Sequence, residues 1–273
     1  SAWNDLGSMH VARHPRRLYR IESHAGCGFM ITRDFFYEVL PLWPSPTKDH
    51  DWDVWMRLSK IRGGRECIVP DVSRTFHFAQ AGTHVQPLMQ QAQFAGHIVT
   101  TNHRIKLDNV ERMTLSEYEE DLVNLLQSPN IHYVNTSIHP CHKEFIPRNY
   151  TKGPVVIFIK MGSGQQYMGW RKIASQCLGL WHIDTRSHHR GLFRFSFYET
   201  EVFIIGFRFS EYSYLKPNWI LEIPEAAEES IHTIEKLTLF NRMRFRHPEM
   251  EQYYQYYLLQ MPTPTPVLHI RGQ

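Results

Sequence analysis

The feature that most limits what this chain can fold into is a pair of uninterrupted apolar runs, Val155 to Ile159 and Val202 to Ile205. A helix that crosses a bilayer needs about 20 apolar residues, so these runs are strand-sized. Their lack of alternation predicts strands covered on both faces. The fuller reading is a buried strand from Val155 to Met161, followed by Leu192–Tyr198 and Glu201–Phe207 joined by a tight turn at Glu199-Thr200. Helical signals surround them. Thr32 caps a helix to about Leu40, with Phe35, Phe36, Val39 and Leu40 inward and Pro41 ending it. Pro87 opens another to about Gly96. Ser116-x-x-Glu119 is a capping box before a surface helix of Tyr118, Leu122, Leu125 and Leu126, and Tyr167 to Leu178 is amphipathic. With short strands expected at Leu18–Glu22, Glu66–Pro70 and Ser73–Phe78, the chain reads as α/β.

At 273 residues it is long enough for one large or two small domains. The expected division is a first unit over 1–127, a Pro-, His- and Asn-rich linker over 128–153, a small α/β unit over 154–230, and an extension of unknown role over 231–273. Thirty Lys and Arg against 27 Asp and Glu leave +3, which argues against a dedicated nucleic-acid surface despite Arg13, Arg16, Arg17 and Arg20. The histidines are dispersed, without the His-Glu-x-x-His spacing of a zinc helix. Cys27, Cys67, Cys141 and Cys177 form no Cys-x-x-Cys pair, and their disulfide state is open. Ser1 to Asp5 reads as the end of a buried strand whose beginning is missing, so the chain is expected to be part of something longer.

The densest chemistry lies in Lys48-Asp-His-Asp-Trp-Asp-Val-Trp-Met-Arg57. Asp49 and Asp51 suit the cap of a helix beginning near Trp52, after Pro44 and Pro46. Asp53 then falls in the first turn, where the helix dipole favours its ionised form, with Arg57 at i+4 on the same face. Two readings follow. In one, Trp52, Trp55, Met56 and Leu58 are core and Asp53 only pairs with Arg57. In the other, Asp53 is a general base beside aromatic faces on which a sugar ring stacks. The stretch Leu180 to Gly191 divides likewise, between a polar connection plugged into the core by Trp181 and a sugar-binding segment.

Ser-Ala-Trp-Asn-Asp at 1–5, Leu-Tyr-Arg at 18–20, Trp-Asp-Val-Trp-Met-Arg at 52–57, Gly-Arg-Glu-Cys-Ile-Val-Pro-Asp-Val-Ser-Arg-Thr at 64–75 and His-Arg-Gly-Leu-Phe-Arg at 189–194 resemble the mannoside β-1,2-N-acetylglucosaminyltransferases. The resemblance runs from Ser1 to about residue 230. It is nearer to the branch acting on O-linked mannose of proteins than to the N-glycan branch. It implies the C-terminal part of a GT-A nucleotide-diphosphosugar transferase fold with a small α/β accessory region. It also implies inverting transfer from UDP-GlcNAc, with Mn²⁺, to the 2-hydroxyl of a protein-linked mannose, in the Golgi lumen under a type II anchor absent from this chain. The alternatives are an N-glycan core mannose as acceptor, or a non-catalytic sugar-binding fragment.

Residue by residue, the resemblance implies Asp53 as the base that takes the mannose proton. Donor contacts fall at Cys27, Trp52, Phe78, Gly82 and Thr83, within and before a closing loop from about Phe78 to His84. Acceptor contacts fall at Trp52, Trp181 and Arg186. It implies no metal ligand here, because the family's run of carboxylates lies upstream of the Ser1 block, as does the cysteine that pairs with the match of Cys67. Ala25-Gly26-Cys27-Gly28-Phe29 stands where relatives have Pro-Gly-Leu-Gly-Trp, and the closing loop begins Phe-Ala instead of Phe-Gly.

Overall fold

The computed structural model describes all residues except 24, 46–50, 79–86, 103, 165, 182–183, 228–229 and 261–273. Its centre is a five-stranded mixed sheet in the order β3-β4-β7-β6-β5, formed by β3 (His132–Tyr133), β4 (Val155–Met161), β5 (His188–His189), β6 (Leu192–Phe197) and β7 (Thr200–Arg208). β6 and β7 are the expected hairpin, turning at Tyr198-Glu199 instead of one residue later, with Tyr198 at φ 52°. β4 lies parallel to β7, from Val155 opposite Val202 to Met161 opposite Arg208.

The unbroken apolar run of β4 has a direct cause in its packing. Val155, Ile157, Ile159 and Met161 enter one cluster with Trp170 and Ile173 of α6 (Met168–Ile173), while Val156 and Phe158 enter another with Tyr118, Leu122 and Leu126 of α5 (Leu115–Leu126). Helices therefore cover both faces of the sheet. α5 is the expected surface helix, with Tyr118, Leu122 and Leu126 turned inward and Ser116, Glu120 and Asn124 exposed. Its N-cap is Thr114, two residues before the expected Ser116; Thr114 makes no side-chain capping bond, and its Oγ1 lies 2.6 Å from Glu117 Oε2.

The residues that flank the sheet on the N-terminal side form a small ribbon and three short helices. β1 (Leu18–Ile21) and β2 (Cys67–Pro70) pair antiparallel, and the Glu22 N–H donates to the His188 carbonyl at 2.8 Å, bringing the ribbon against β5. α1 (Arg33–Val39) is capped by Thr32 as expected, but only Val39 is buried; Phe36 and Leu40 face outward, and a 3₁₀ turn over Leu40–Leu42 carries the chain through Pro41. α2 (Trp52–Arg57) and α3 (Ser59–Arg62) follow, ended by Gly63 in the left-handed region. Ser1–Asp5 is not a strand, although Ala2 is bonded to Gly28 on one side and Arg74 on the other. Ser73–Phe78 contributes a single bridge, Ser73 to Val99. Its alternation marks an irregular segment with one side against the core.

The stretch over 128–153 is packed, not spaced out. It supplies β3, and Val134, Phe145 and Ile146 join the same cluster as Trp3, Leu6 and Val11, while Cys141 is bridged to Cys177. Its apolar residues lie on irregular backbone, so no period reveals them. After α4 (Pro87–Met89) the chain makes a π-helical turn over Gln90–Phe94, and α6 ends in another over Ala174–Leu178. Carbonyls of that second turn and of Gly179 are taken up by α7 (Ile231–Arg246): Asn241 Nδ2 donates to Ser175 at 2.8 Å and Gln176 at 3.0 Å, and Arg242 Nε to Gly179 at 2.8 Å. With α8 (Pro248–Gln260), whose Leu258 is buried in the main cluster, the expected extension is integrated as far as residue 260.

Candidate functional site

α2 is a helix of six residues, and its two faces divide sharply. Trp55 and Met56 are buried with Val39 and Ile61, whereas Trp52 is 38% exposed. Trp52 belongs to an aromatic row at the surface. Phe29 stacks on it at 5.5 Å, and Trp43 lies 6.3 Å away with the two rings only 13° from parallel. Of the residues expected in the core, Trp55 and Met56 are buried, whereas Trp52 presents an accessible flat face.

Asp53 is in the first turn, as the spacing requires, and Arg57 Nη2 donates to its Oδ2 at 2.6 Å. Asp51 occupies the N-cap without a side-chain capping bond. Gly26 runs alongside, 3.8 Å from the Asp53 Cβ at the position a side chain would take. Gly28 has φ +89°, and a Cβ there would meet Thr75 Cγ2 at 2.7 Å, so the passage needs glycine twice over. Between them the thiol of Cys27 is raised to about 11, chiefly by burial and then by the Asp5 carboxylate, which keeps it protonated and neutral.

Arg57 also faces Asp184, Nη1 to Oδ2 at 3.7 Å. Asp184 in turn is gripped by Arg186, through Nε at 2.7 Å to Oδ1 and Nη2 at 2.6 Å to Oδ2, while Trp181 Nε1 donates to the same Oδ1 at 2.9 Å. Arg186 Nη1 then reaches the buried Asp5 at 3.7 Å. Five groups of alternating charge, Asp53, Arg57, Asp184, Arg186 and Asp5, thereby connect α2 to the N-terminal segment through the loop before β5. Burial opposes the charge on Asp184, but the Arg186 guanidinium outweighs it and holds that carboxyl below its usual range. For Asp5 burial dominates, and its pKa is raised.

Two of the expected acceptor residues sit within this network. Trp181 is 4% exposed, and the Arg186 guanidinium lies 3.7 Å above its ring centroid. Trp52 alone of the expected acceptor residues presents an open ring. Phe78 is 83% exposed, and Gly82, Thr83 and the rest of the expected closing loop lie outside the described residues, as do Lys48, Asp49 and His50. A cleft of about 320 Å³ opens nearby, lined in part by Ser1, Phe29, Met30, Met56, Arg62 and Cys67; Asp53 does not line it. Sequence reasoning passed over Asp5, Asp184 and Trp43. Asp184 lies inside the polar stretch singled out for sugar binding, which was the available signal.

Among the described residues no group of three His, Cys, Asp or Glu could hold a metal ion. Asp53, Asp184 and Asp5 each face an arginine, and a cation would have to displace those guanidinium groups. The described residues at this site do not fit a divalent metal. No helix among the described residues is long and apolar enough to cross a membrane.

Residues 1–113 match the GNT-I family model, a block that contains Cys27, Trp52, Asp53, Arg57 and Phe78 and ends before the five-stranded sheet. The alpha-1,3-mannosyl-glycoprotein 2-beta-N-acetylglucosaminyltransferase of Arabidopsis thaliana is 35% identical over 91 residues, which make up 33% of this chain and 20% of that enzyme. The chain thus spans a fifth of that relative's length. The relative bears on the N-glycan alternative, and not on the O-mannose branch that the sequence was expected to stand nearer.

Proposed function

We propose, on the premise that residues 1–113 are GNT-I family sequence, that the protein transfers N-acetylglucosamine from UDP-GlcNAc to the 2-hydroxyl of a mannose on an N-glycan, with inversion at the anomeric carbon. The observation that carries this reading is Asp53, a carboxylate in the first turn of a surface helix, next to the exposed indole of Trp52 and inside the matched block. Inversion takes a single displacement. The attacking hydroxyl must lose its proton as the new bond forms, and Asp53 is the group placed to take it. Trp52 gives the mannose ring a flat face, and the Arg57 guanidinium fixes the carboxylate so that one oxygen stays directed to the acceptor. The N-glycan mannose is preferred over O-linked mannose because the Arabidopsis thaliana relative is an enzyme of the N-glycan kind. Phe78, so exposed here, is assigned to the donor side, with Gly82 and Thr83 beyond it in the chain. The Cys141–Cys177 disulfide suits an oxidising lumen, in keeping with the Golgi location usual for the family.

In the intact protein Asp53→Asn should lower kcat by about 10² to 10⁴ while leaving UDP-GlcNAc affinity unchanged, because the amide cannot accept the proton. Near-normal transfer by the variant removes Asp53 from the role of base. Competition between an N-glycan acceptor and an O-mannosyl peptide, in one reaction with the unaltered protein, decides the acceptor: preference for the peptide overturns the N-glycan assignment.

A further inference from the structure

We propose that Asp184 is a positioning residue for Asp53, acting through Arg57; this rests on the base role given to Asp53 above. One guanidinium serves both carboxylates, with Arg57 Nη2 at 2.6 Å from Asp53 and Nη1 at 3.7 Å from Asp184. The first contact is a hydrogen bond and the second an ion contact, which constrains the plane of the guanidinium without competing for the same N–H. The contact to Asp184 restrains rotation of the guanidinium about its long stem, and with it the carboxylate that the guanidinium holds.

Asp184 is suited to this because it is itself immobile. It accepts from the Arg186 guanidinium at two points, from the Arg186 backbone N–H at 3.2 Å and from the Trp181 indole at 2.9 Å. Arg186 is anchored by the ring of Trp181 beneath it and by buried Asp5. Trp181 and Arg186, which resemblance assigns to acceptor contact, here form the foundation of the base. Asp184 is the member to alter, because its side chain is 42% exposed whereas those of Arg186 and Asp5 are 11% and 3% exposed and could not be removed without threatening the fold.

Two measurements test the proposal. In the 273-residue chain, rotation of the Arg57 guanidinium is followed by ¹⁵N NMR of the arginine side chains. Asp184→Asn should speed it and Asp184→Glu should leave it slow; an unchanged rate in Asp184→Asn overturns the proposal. In the intact protein, Asp184→Asn should lower kcat by about 10- to 100-fold with the donor KM unchanged, since small misplacements of a reacting group cost that much. Asp184→Glu should restore most of it. In an Arg57→Gln background Asp184→Asn should add little, whereas a merely structural role would subtract equally in both backgrounds. Full transfer by Asp184→Asn refutes this inference alone. No transfer by the unaltered protein refutes the proposed function, and the catalytic role of Asp184 with it.

Discussion

His10 and His97 are held neutral in the folded chain, and this gives the protein a built-in sensitivity to acid. Both are pushed down to about 3, first by burial, with the nearby arginines adding to the effect. His10 stacks on Phe245 at 4.3 Å and bonds the Leu178 carbonyl, while His97 stacks on Trp3 at 4.3 Å and bonds that of Asp5. The folded state binds fewer protons than the unfolded one between about 3 and the ordinary histidine value of 6.5. Stability is therefore fully present above pH 6.5 and falls as the pH drops, by about 1.4 kcal/mol per pH unit for each histidine. Urea titrations between pH 6.5 and pH 5 should show this slope, and His97→Gln should reduce it by one histidine's share, about 1.4 kcal/mol per pH unit. Equal slopes for the two proteins would show that other groups govern the decline. At the same scale, the pairing of Asp53 with Arg57 was legible because i+4 neighbours on a helix meet by geometry alone. Arg57 with Asp184 was not legible, since the contact is made only after the loop before β5 folds back upon α2.

Among the elements, those with continuous apolar runs were the most legible. β4 and β7 follow from their unbroken apolar runs, as burial on both faces requires, and β6, Leu-Phe-Arg-Phe-Ser-Phe, follows from alternation. Elements with one covered side were less so: Ser73–Phe78 alternates yet makes a single bridge, and the N-cap of α5 is Thr114, two residues before the expected Ser116. Close approach is invisible to periodicity altogether. Gly169 of α6 lies against the Lys160 carbonyl of β4, where a Cβ would stand 2.4 Å from the oxygen. Gly169→Ala should thus force the helix off the strand, costing about 1–3 kcal/mol in a denaturant titration. Loss of Trp170, fully buried and stacked on Phe193 at 4.0 Å, should cost more, about 3–5 kcal/mol for Trp170→Ala. If Gly169→Ala proves neutral, helix and strand are less tightly docked than the geometry states.

Over the whole molecule the expected divisions disappear into a common core. Trp3, Phe145, Ile157, Trp181 and Leu258 belong to one apolar cluster, and the bridge from Cys141 to Cys177 closes a loop of sequence separation 36 across it. A loop of that size is worth about 3–4 kcal/mol in chain entropy, so Cys141→Ala/Cys177→Ala should lower the unfolding free energy by that amount. Guanidinium titration with and without reductant tests this: reductant should weaken only the protein that retains both cysteines. Such unity could not be read from a composition rich in Pro, His and Asn, which describes how a segment is bent and not what it touches.

The pairing of β4 with β7 also has a consequence for synthesis. β4 leaves the ribosome before its partner exists, and its neighbour on that side is the last strand of the sheet to be made. At about 5–20 residues per second, Val155–Met161 waits for seconds with the edge that β7 will pair left open. The β6–β7 hairpin can close by itself in microseconds once its turn emerges, but the parallel register beside it must be found across a long crossover. The nascent chain is therefore most exposed to aggregation in that interval, and a chaperone that recognises short extended apolar segments has its natural target there.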